Sequence, residues 1–475
     1  MKIKIGLETH VQLNSKSKIF CGCKNPVNLK EEAEPNSLTC EICLGFPGSK
    51  PVLNKRIVEL ASKIALALGC KIPDEMFFSR KTYFYPDMSK DFQITQYEVP
   101  LGLEGKLSFD LNGKKKTIRI KRIHIEEDPA QLVHVGGIGG KYVLIDYNRA
   151  GIPLVEIVTE PDFESPEEAR LYLSKLTMIL EYLGMYDPTT QAVLKSDANI
   201  SLNPEGVEGT RVEIKNITGT KEVEDALKYE IIRQRNLISK SMQVKRETRT
   251  WNPDIGSTHE MRGKEEEAEY GYIFEPDLTK IELPEQFLDS IKKEIPELPD
   301  EKYERFVKKH KIQAKLAESL ISEKPIADLF EEISKKINPE IVASFLAGYL
   351  KKTLNWNNLK YKTSGLEDEW IFELLEEFQK GKITDRNAEQ TIRKMVEEKK
   401  SAKEIIKKYN LGKSEIDLES VLKKVLDTNK QAVHDFKKGE KKALEFLIGQ
   451  VMKETRGQVD ATEIRKGLKK NLLIN

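Results

Sequence analysis

The sequence predicts an α+β protein. An antiparallel-sheet domain spans residues 1–283, an all-α domain follows over 284–399, and a small helical tail domain occupies 400–475. Three observations carry this prediction. Apolar residues alternate with polar ones at 3–13 and along much of 106–160, as a half-buried strand requires, because successive side chains point to opposite faces. Helical spacing of apolar residues appears inside the same region at 54–69, 165–184 and 222–239. Beyond about Leu283 the strand signals thin out, and Lys/Glu-rich helical segments run to the end.

A chain of 475 residues is expected to form two or three domains. Its 78 Lys and Arg against 77 Asp and Glu give a net charge of +1. That balance excludes a uniformly basic coat for nucleic acid but leaves room for local basic patches. One third of the residues are charged, and the mean hydropathy is −0.50. No apolar run reaches the ~18 residues of a membrane helix, and no leader pattern precedes the first strand. Five cysteines, four of them clustered, suggest a reducing compartment and a metal rather than a disulfide framework. The expectation is a cytoplasmic protein with no membrane partner.

The opening strand alternates cleanly. Ile3, Ile5, Leu7, Thr9, Val11 and Leu13 share one face; Glu8, His10 and Gln12 share the other. A carboxylate and an imidazole two residues apart on a strand can hold a metal ion or move a proton, and a solvated sheet face is the alternative. Cys21-Gly22-Cys23 and Cys40-Glu41-Ile42-Cys43 follow as two short hooks. Two such hooks suit a tetrahedral, structural zinc site, each presenting two thiolates to one ion. Unrelated buried thiols, or a redox pair at 40–43, are the alternatives. Cys70 is left over as a core residue.

The helix at 54–69 has Asn54 as its N-cap and Gly69 as its stop. Next comes Phe77-Phe78-Ser79-Arg80-Lys81-Thr82-Tyr83-Phe84-Tyr85-Pro86-Asp87, where basic residues beside aromatics suit phosphate and base recognition. Aromatic core packing with two exposed cations is the other reading. Asn112-Gly113 marks a hairpin turn, and a slip in apolar phase between Ile120 and Ile123 predicts a bulge near Lys121. His124 and Glu126 share a face, and Glu127-Asp128 ends that run. The glycine run at 136–140 lacks Lys-Ser/Thr and a following helix, so it reads as a hairpin loop. Glu156 sits alone in Pro153-Leu154-Val155-Glu156-Ile157-Val158. Burying a carboxylate there is costly unless it is paired, protonated or metal-bound. Ser165-Pro166-Glu167-Glu168 opens a helix with a capping box. The stretch 391–475 holds 21 Lys and Arg against 13 Asp and Glu, a plausible contact for a phosphate backbone or simply a solvated helical face.

No Walker A, kinase glycine loop, dinucleotide fingerprint or nucleophile elbow is present. Glu8, His10, His124, Glu126, Glu127 and Glu156 on strands form a set of hard donors better suited to Mg²⁺ or Mn²⁺ than to zinc. Mg²⁺ with few protein ligands suggests a phosphate-bearing substrate.

At these residues the chain resembles the GatB family, the B subunits of tRNA-dependent amidotransferases. The resemblance is carried by Ile5-Gly6-Leu7-Glu8-Thr9-His10-Val11-Gln12-Leu13, by 80–87, by His124-Ile125-Glu126-Glu127-Asp128 and by Asp146-Tyr147-Asn148-Arg149-Ala150-Gly151. It extends through 153–158, Phe274-Glu275-Pro276-Asp277-Leu278 and Phe446-Leu447-Ile448-Gly449-Gln450-Val451-Met452. It implies a cradle-like catalytic domain that uses ATP to phosphorylate the side chain of Asp or Glu misacylated on tRNA. Ammonia, made from glutamine by an A subunit (the glutaminase), then displaces the phosphate, and a small C subunit completes a heterotrimer. By the same resemblance His10, Glu127 and Glu156 hold Mg²⁺ with Glu8 beside them. By the same resemblance Lys81, next to Arg80, contacts nucleotide phosphate or the charge that develops in the reaction. Cys21, Cys23, Cys40 and Cys43 match the zinc-bearing branch. The chain departs from the family at Gln191-Ala192-Val193-Leu194-Lys195-Ser196-Asp197-Ala198-Asn199, where the family's Glu and Gly-Ser are absent and Lys195 stands in place of Arg. A different class of reading is a non-catalytic tRNA-binding scaffold whose acidic strand cluster is structural.

Overall fold

The computed structural model describes residues 1–475 except 30, 136–141, 188, 191–192, 205–206, 262–270, 413–417, 439, 456–458 and 475. The glycine run at 136–140 and Gln191-Ala192 therefore lie outside the described residues. The fold is α+β, and the chain divides into two compact units, Met1–Leu298 and Pro299–Asn475.

The strands of the first unit are β1 (Lys2–Gln12), β2 (Glu75–Met76), β3 (Ser79–Thr82), β4 (Phe92–Thr95), β5 (Gly102–Leu111), β6 (Lys114–Glu127), β7 (Gln131–His134) and β8 (Val143–Asp146). They continue with β9 (Pro153–Thr159), β10 (Leu194–Asn203), β11 (Val212–Thr218), β12 (Glu247–Asn252), β13 (Ser257–Glu260), β14 (Gly271–Phe274) and β15 (Ile281–Glu282). Eight of them form one sheet in the order β13-β12-β11-β10-β1-β9-β6-β5. All neighbours are antiparallel except β11 and β12. A three-stranded sheet, β14-β3-β4, and two-stranded ribbons β15-β2 and β7-β8 complete the set.

Alternation divides the large sheet into an apolar and a polar face. Ile5, Leu7 and Val11 of β1, Ile123 and Ile125 of β6, and Val155 and Ile157 of β9 are fully buried in one core. Three helices supply the other half of that core: α1 (Lys55–Ala67), α2 (Pro166–Tyr182) and α3 (Thr220–Ser239). A fourth, α4 (Glu285–Lys293), lies against α1, buries Ile291 and brings Glu294 to Lys63. The first unit thus extends past the expected end at 283, to the Pro296–Pro299 joint.

Local signals behave as their chemistry requires. The Asn54 side chain accepts from the Arg56 N–H and starts α1, and Gly69 (φ +67°) ends it in a left-handed conformation that a glycine adopts without strain. Asn112 and Gly113 both have positive φ, as a two-residue hairpin between β5 and β6 demands. The β6–β9 register shifts between Ile120 and Arg122, where the apolar phase slips. Ser165 accepts from the Glu168 N–H, but the Glu168 carboxylate returns to the Glu164 N–H instead of to Ser165, so the predicted capping box is displaced by one residue.

The second unit is helical. It begins with α5 (Pro299–Lys308), α6 (Ala314–Ile321), α7 (Lys324–Ile333) and α8 (Pro339–Ser344), followed by a π-helical stretch, Phe345–Leu350. Then come α9 (Lys351–Trp356), α10 (Asp368–Gln379), α11 (Asp385–Glu398) and α12 (Ala402–Tyr409). The last four helices, α13 (Leu418–Thr428), α14 (Lys430–Lys437), α15 (Lys441–Glu454) and α16 (Ala461–Ile474), have their own core of Leu422, Val425, Leu447, Val451, Ile464 and Leu468. Helix α12 touches α10 and α11, and Asn387 donates to the Leu411 carbonyl. By its contacts α12 therefore belongs with the helices before it, although it lies beyond 400.

Leu7→Ala removes a side chain that is 1% exposed at the centre of the first core. We expect a loss of about 2–5 kcal/mol, because surrounding strands and helices cannot collapse onto the vacated space. Denaturant unfolding followed by far-UV circular dichroism measures this, with the half-exposed Lys4→Ala as the near-neutral comparison.

Candidate metal centre

The polar face of the large sheet collects acids and imidazoles because the apolar face fixes the phase of every strand. In register, His10 of β1 lies opposite Glu156 of β9, and Glu156 in turn lies opposite His124 of β6. Partners across an antiparallel ladder share a face, so these three side chains converge, and Glu126, two residues beyond His124, joins them. His10 Nε2 is 3.4 Å from Glu156 Oε2 and 3.8 Å from Glu126 Oε1. His124 Nε2 is 3.1 Å from Glu156 Oε2 and 3.6 Å from Glu126 Oε2. The Thr95 hydroxyl donates to Glu126 at 3.2 Å.

The electrostatics follow from proximity. Burial alone would lower the His10 imidazole, but a hydrogen bond to Glu156 and the charges of Glu156 and Glu126 raise it to about 10. His124 is raised to about 9 against the same burial, chiefly by Glu156. Burial would raise Glu156, yet His124 and His10 hold it well below the usual carboxylate range, and Glu126 is lowered in the same manner. Each carboxylate is thus stabilised inside the protein by an imidazolium.

The ligand atoms of His10, Glu126 and Glu156 all lie within 4.8 Å of one another. An octahedral ion with bonds of about 2.1 Å sets its ligands about 3 to 4.2 Å apart. One imidazole and two carboxylates at this spacing fit such an ion, which would stand where the His10 proton now does.

The structure does not bring Glu127 into this group. It continues the phase of Ile123 and Ile125 and leaves β6 on the other face. Its carboxylate meets Lys90 Nζ at 2.5 Å and accepts from the Ile94 N–H at 2.8 Å, while its carbonyl accepts from Gln93. Glu127 therefore ties β4 to the end of β6, and Glu126 occupies the place expected of it. The two-residue period was the available signal: His124 and Glu126 are in phase with the polar face, and Glu127 is in phase with the core.

Glu8 lies on the polar face beside the cluster and accepts from Asn199 at 2.9 Å. Burial, and next the Glu156 charge, raise its carboxyl. Further along the face Lys215 bridges Asp197 and Glu213 at 2.9 and 2.6 Å. At the near end Asp128 is gripped by Arg149 through both oxygens and accepts from Gln12. Sequence patterning offered only alternation to find these networks, because their partners come from strands far apart in the chain.

Arg80 and Lys81 separate. The Arg80 guanidinium makes two bonds of 2.8 Å to the fully buried Glu275 carboxylate, reaches Asp277 and lies 4.3 Å over the Phe92 ring. These bonds tie β3 to the segment that follows β14. Lys81 lies opposite Gln93 in the register and so leaves β3 on the face that carries Thr95, the residue that touches Glu126.

Cys21, Cys23, Cys40 and Cys43 converge, with their sulfurs within 4.8 Å of one another. A tetrahedral ion with bonds of about 2.3 Å holds sulfurs about 3.8 Å apart, and Cys40 and Cys43 are 3.8 Å apart. A hydrogen bond from Cys21 pushes the Cys43 thiol down to about 5, with Lys18 nearby adding to the effect. The cluster could hold a metal such as zinc. Cys70 stands apart, buried against Gly102 and Gly105.

Arg80→Met leaves the Glu275 carboxylate buried without its partner. The expected cost is about 3–5 kcal/mol of stability in the first unit, read by urea unfolding. Near-wild-type stability would show instead that Arg80 is free to serve a ligand.

Two family profiles match the chain: the GatB/GatE catalytic domain over residues 3–289 and a GatB domain over residues 328–472. The B subunit of the aspartyl/glutamyl-tRNA(Asn/Gln) amidotransferase of Methanosarcina barkeri is 44% identical over 495 residues, covering 99% of this chain and 98% of the relative. Its namesake from Methanospirillum hungatei is 43% identical, covering 98% of each chain. That of Carboxydothermus hydrogenoformans is 40% identical with the same coverage. With both domains matched and the similarity running over nearly its full length, the chain belongs to the GatB family of amidotransferase B subunits.

Proposed function

We propose that this chain is the component of a tRNA-dependent amidotransferase that activates the side-chain carboxylate of Asp or Glu misacylated on tRNA, using ATP. Ammonia, released from glutamine by a partner A subunit, then replaces the phosphate to give Asn- or Gln-tRNA. A small C subunit would complete a cytoplasmic heterotrimer. The observation that carries this reading is the convergence of His10, Glu126 and Glu156 on a polar face that also bears Glu8, with Lys81 directed from a neighbouring sheet.

The chemistry needs such a site. A carboxylate is a poor acyl donor, and phosphorylating one oxygen creates a leaving group. Phosphoryl transfer is governed by charge neutralisation and alignment rather than covalent help from the protein. His10, Glu126 and Glu156 would hold Mg²⁺, which when bound would supply positive charge to neutralise phosphate oxygens. His124, between both glutamates, orients them. Glu8, steered by Asn199, lies within reach of the same space and can accept hydrogen bonds from the nucleotide ribose, the aminoacyl amine or the entering ammonia. Lys81 would meet phosphate oxygens from the opposite side. The excess of Lys and Arg over 391–475 supports a tRNA contact in the C-terminal part.

Glu126→Gln and Glu156→Gln are expected to weaken Mn²⁺ binding, read by electron paramagnetic resonance, and to abolish ADP release from ATP with Asp-tRNA in the reconstituted complex. Glu127→Gln should keep Mn²⁺ binding. Wild-type metal binding in the first two variants would remove them from the centre. An absence of ADP release from the wild-type complex would favour the non-catalytic scaffold.

The four cysteines would carry a structural Zn²⁺. We expect about one zinc per chain by elemental analysis. Cys40→Ser should lose the metal and lower the melting temperature while leaving Mn²⁺ binding at the acidic site in place. A zinc-free chain that melts like the wild type would contradict the assignment.

A further inference from the structure

Several cations on and around the polar face are paired; among the described residues Lys195 and Arg122 on that face are not. Lys215 is held by Asp197 and Glu213, Arg149 by Asp128, and Lys90 by Glu127. Lys195 makes no hydrogen bond and no ion pair among the described residues. It lies directly opposite His10 in the β1–β10 register and beside Asp197, two residues along, so it leaves the sheet on the same face as the metal centre. It is half-buried, with the like charge of Arg149 near it and the opposite charges of Asp128 and Asp197 offsetting that charge in part. Burial and that like charge push its amine down from the usual lysine range. A half-buried ammonium with no direct hydrogen-bonded partner is unfavourable in a finished fold. It is favourable where a ligand supplies the missing anion.

We infer that Lys195 contacts an oxyanion of the reacting pair, on the opposite side of β1 from the carboxylates of Glu156 and Glu126. Resting on the phosphorylation reading above, this makes Lys195 a catalytic residue. The anion comes from one of two groups, the terminal phosphate of the nucleotide or the side-chain carboxylate of the aminoacyl ester. In the step itself a carboxylate oxygen forms a bond to the γ-phosphorus. The bond from that phosphorus to the β,γ-bridging oxygen breaks, and its electron pair leaves with ADP. No proton changes hands, so a fixed positive charge is the help the step can use. Like Lys81, Lys195 lies outside the cation's ligand set. It approaches the site along the β1–β10 edge, whereas Lys81 comes from the β3 sheet.

The test uses the full chain in its complex with its partners. Lys195→Met and Lys195→Arg are compared with the wild type for ADP release while ATP and Asp-tRNA are varied in turn. Lys195→Met should lower kcat about 100-fold or more, the scale on which removal of one preorganised donor acts. Lys195→Arg should recover most of that loss, because it keeps the charge. Mn²⁺ binding and affinity for uncharged tRNA should stay at wild-type values in both. A rise in the KM for ATP in Lys195→Met identifies the phosphate as the partner. A rise in the KM for Asp-tRNA, with lost preference over uncharged tRNA, identifies the carboxylate.

Two outcomes overturn the inference. One is a wild-type kcat with both KM values unchanged in Lys195→Met. The other is a loss of activity that Lys195→Arg does not recover and that accompanies a lowered melting temperature, which marks a structural role. A wild-type complex that releases no ADP would instead refute the phosphorylation reading, which separates the two failures.

Discussion

The structure depends on the register of three strands, β1, β9 and β6. Their odd-phase residues, from Leu7 to Ile157 and Ile125, enter one core under α1, α2 and α3. Burying apolar surface is worth roughly 25 cal/mol per Å², so the phase of each strand is fixed strongly. A slip by one residue would turn a whole strand over. The opposite phase is then forced to a common face whatever its chemistry, and on that face His10, Glu156, His124 and Glu126 meet. The cost of holding two carboxylates there is offset by the two imidazoles between them. The candidate metal centre is thus a consequence of how the hydrophobic core chooses its side of the sheet.

The centre is braced from outside by groups that do not enter it. Glu127 fastens β4, and with it the β3 sheet that carries Lys81, to the end of β6. The cysteine loop is tied to the same place. Ile19 donates to Gly151, Gly151 donates to Asp128, and Ser89 donates to the Cys43 carbonyl one residue before Lys90 reaches Glu127. Lys18, fully buried, donates to the carbonyls of Leu38 and Tyr147 and so joins the two loops. Gly151 has φ +82°, a backbone conformation in which a side chain would be strained, and packs against Lys18 and Cys43. These contacts make the cysteine cluster a support beside the polar face.

Much of this was legible where the signal is local. The hairpin at Asn112-Gly113, the bulge after Ile120, the limits of α1 and the alternation of β1 each depend on a few adjacent residues, and the structure has them where the sequence placed them. The four cysteines also converge as their spacing implied. What resemblance alone could not resolve was the choice between Glu126 and Glu127. Adjacent identical residues are separated only by phase, and phase is settled by the bulge at Ile120 and by the core partners of Ile123 and Ile125. Arg80 shows the same limit: nothing near it in the chain announces Glu275, which closes its fork from the far end of the first unit. Lys195 is conspicuous only once the register sets it opposite His10. The boundary near 283 was set by the loss of strand signals, whereas α4 stays with the first unit because Ile291 and Glu294 find partners on it.

The central claim is that this face transfers a phosphoryl group to a side-chain carboxylate. Isotope transfer tests it most directly. Asp-tRNA carrying ¹⁸O in its side-chain carboxylate is amidated by the complex with ATP, and the inorganic phosphate released is weighed by mass spectrometry. The account predicts one ¹⁸O atom in each phosphate, because the oxygen lost from the carboxylate leaves with the phosphorus. Unlabelled phosphate alongside complete amidation would contradict it.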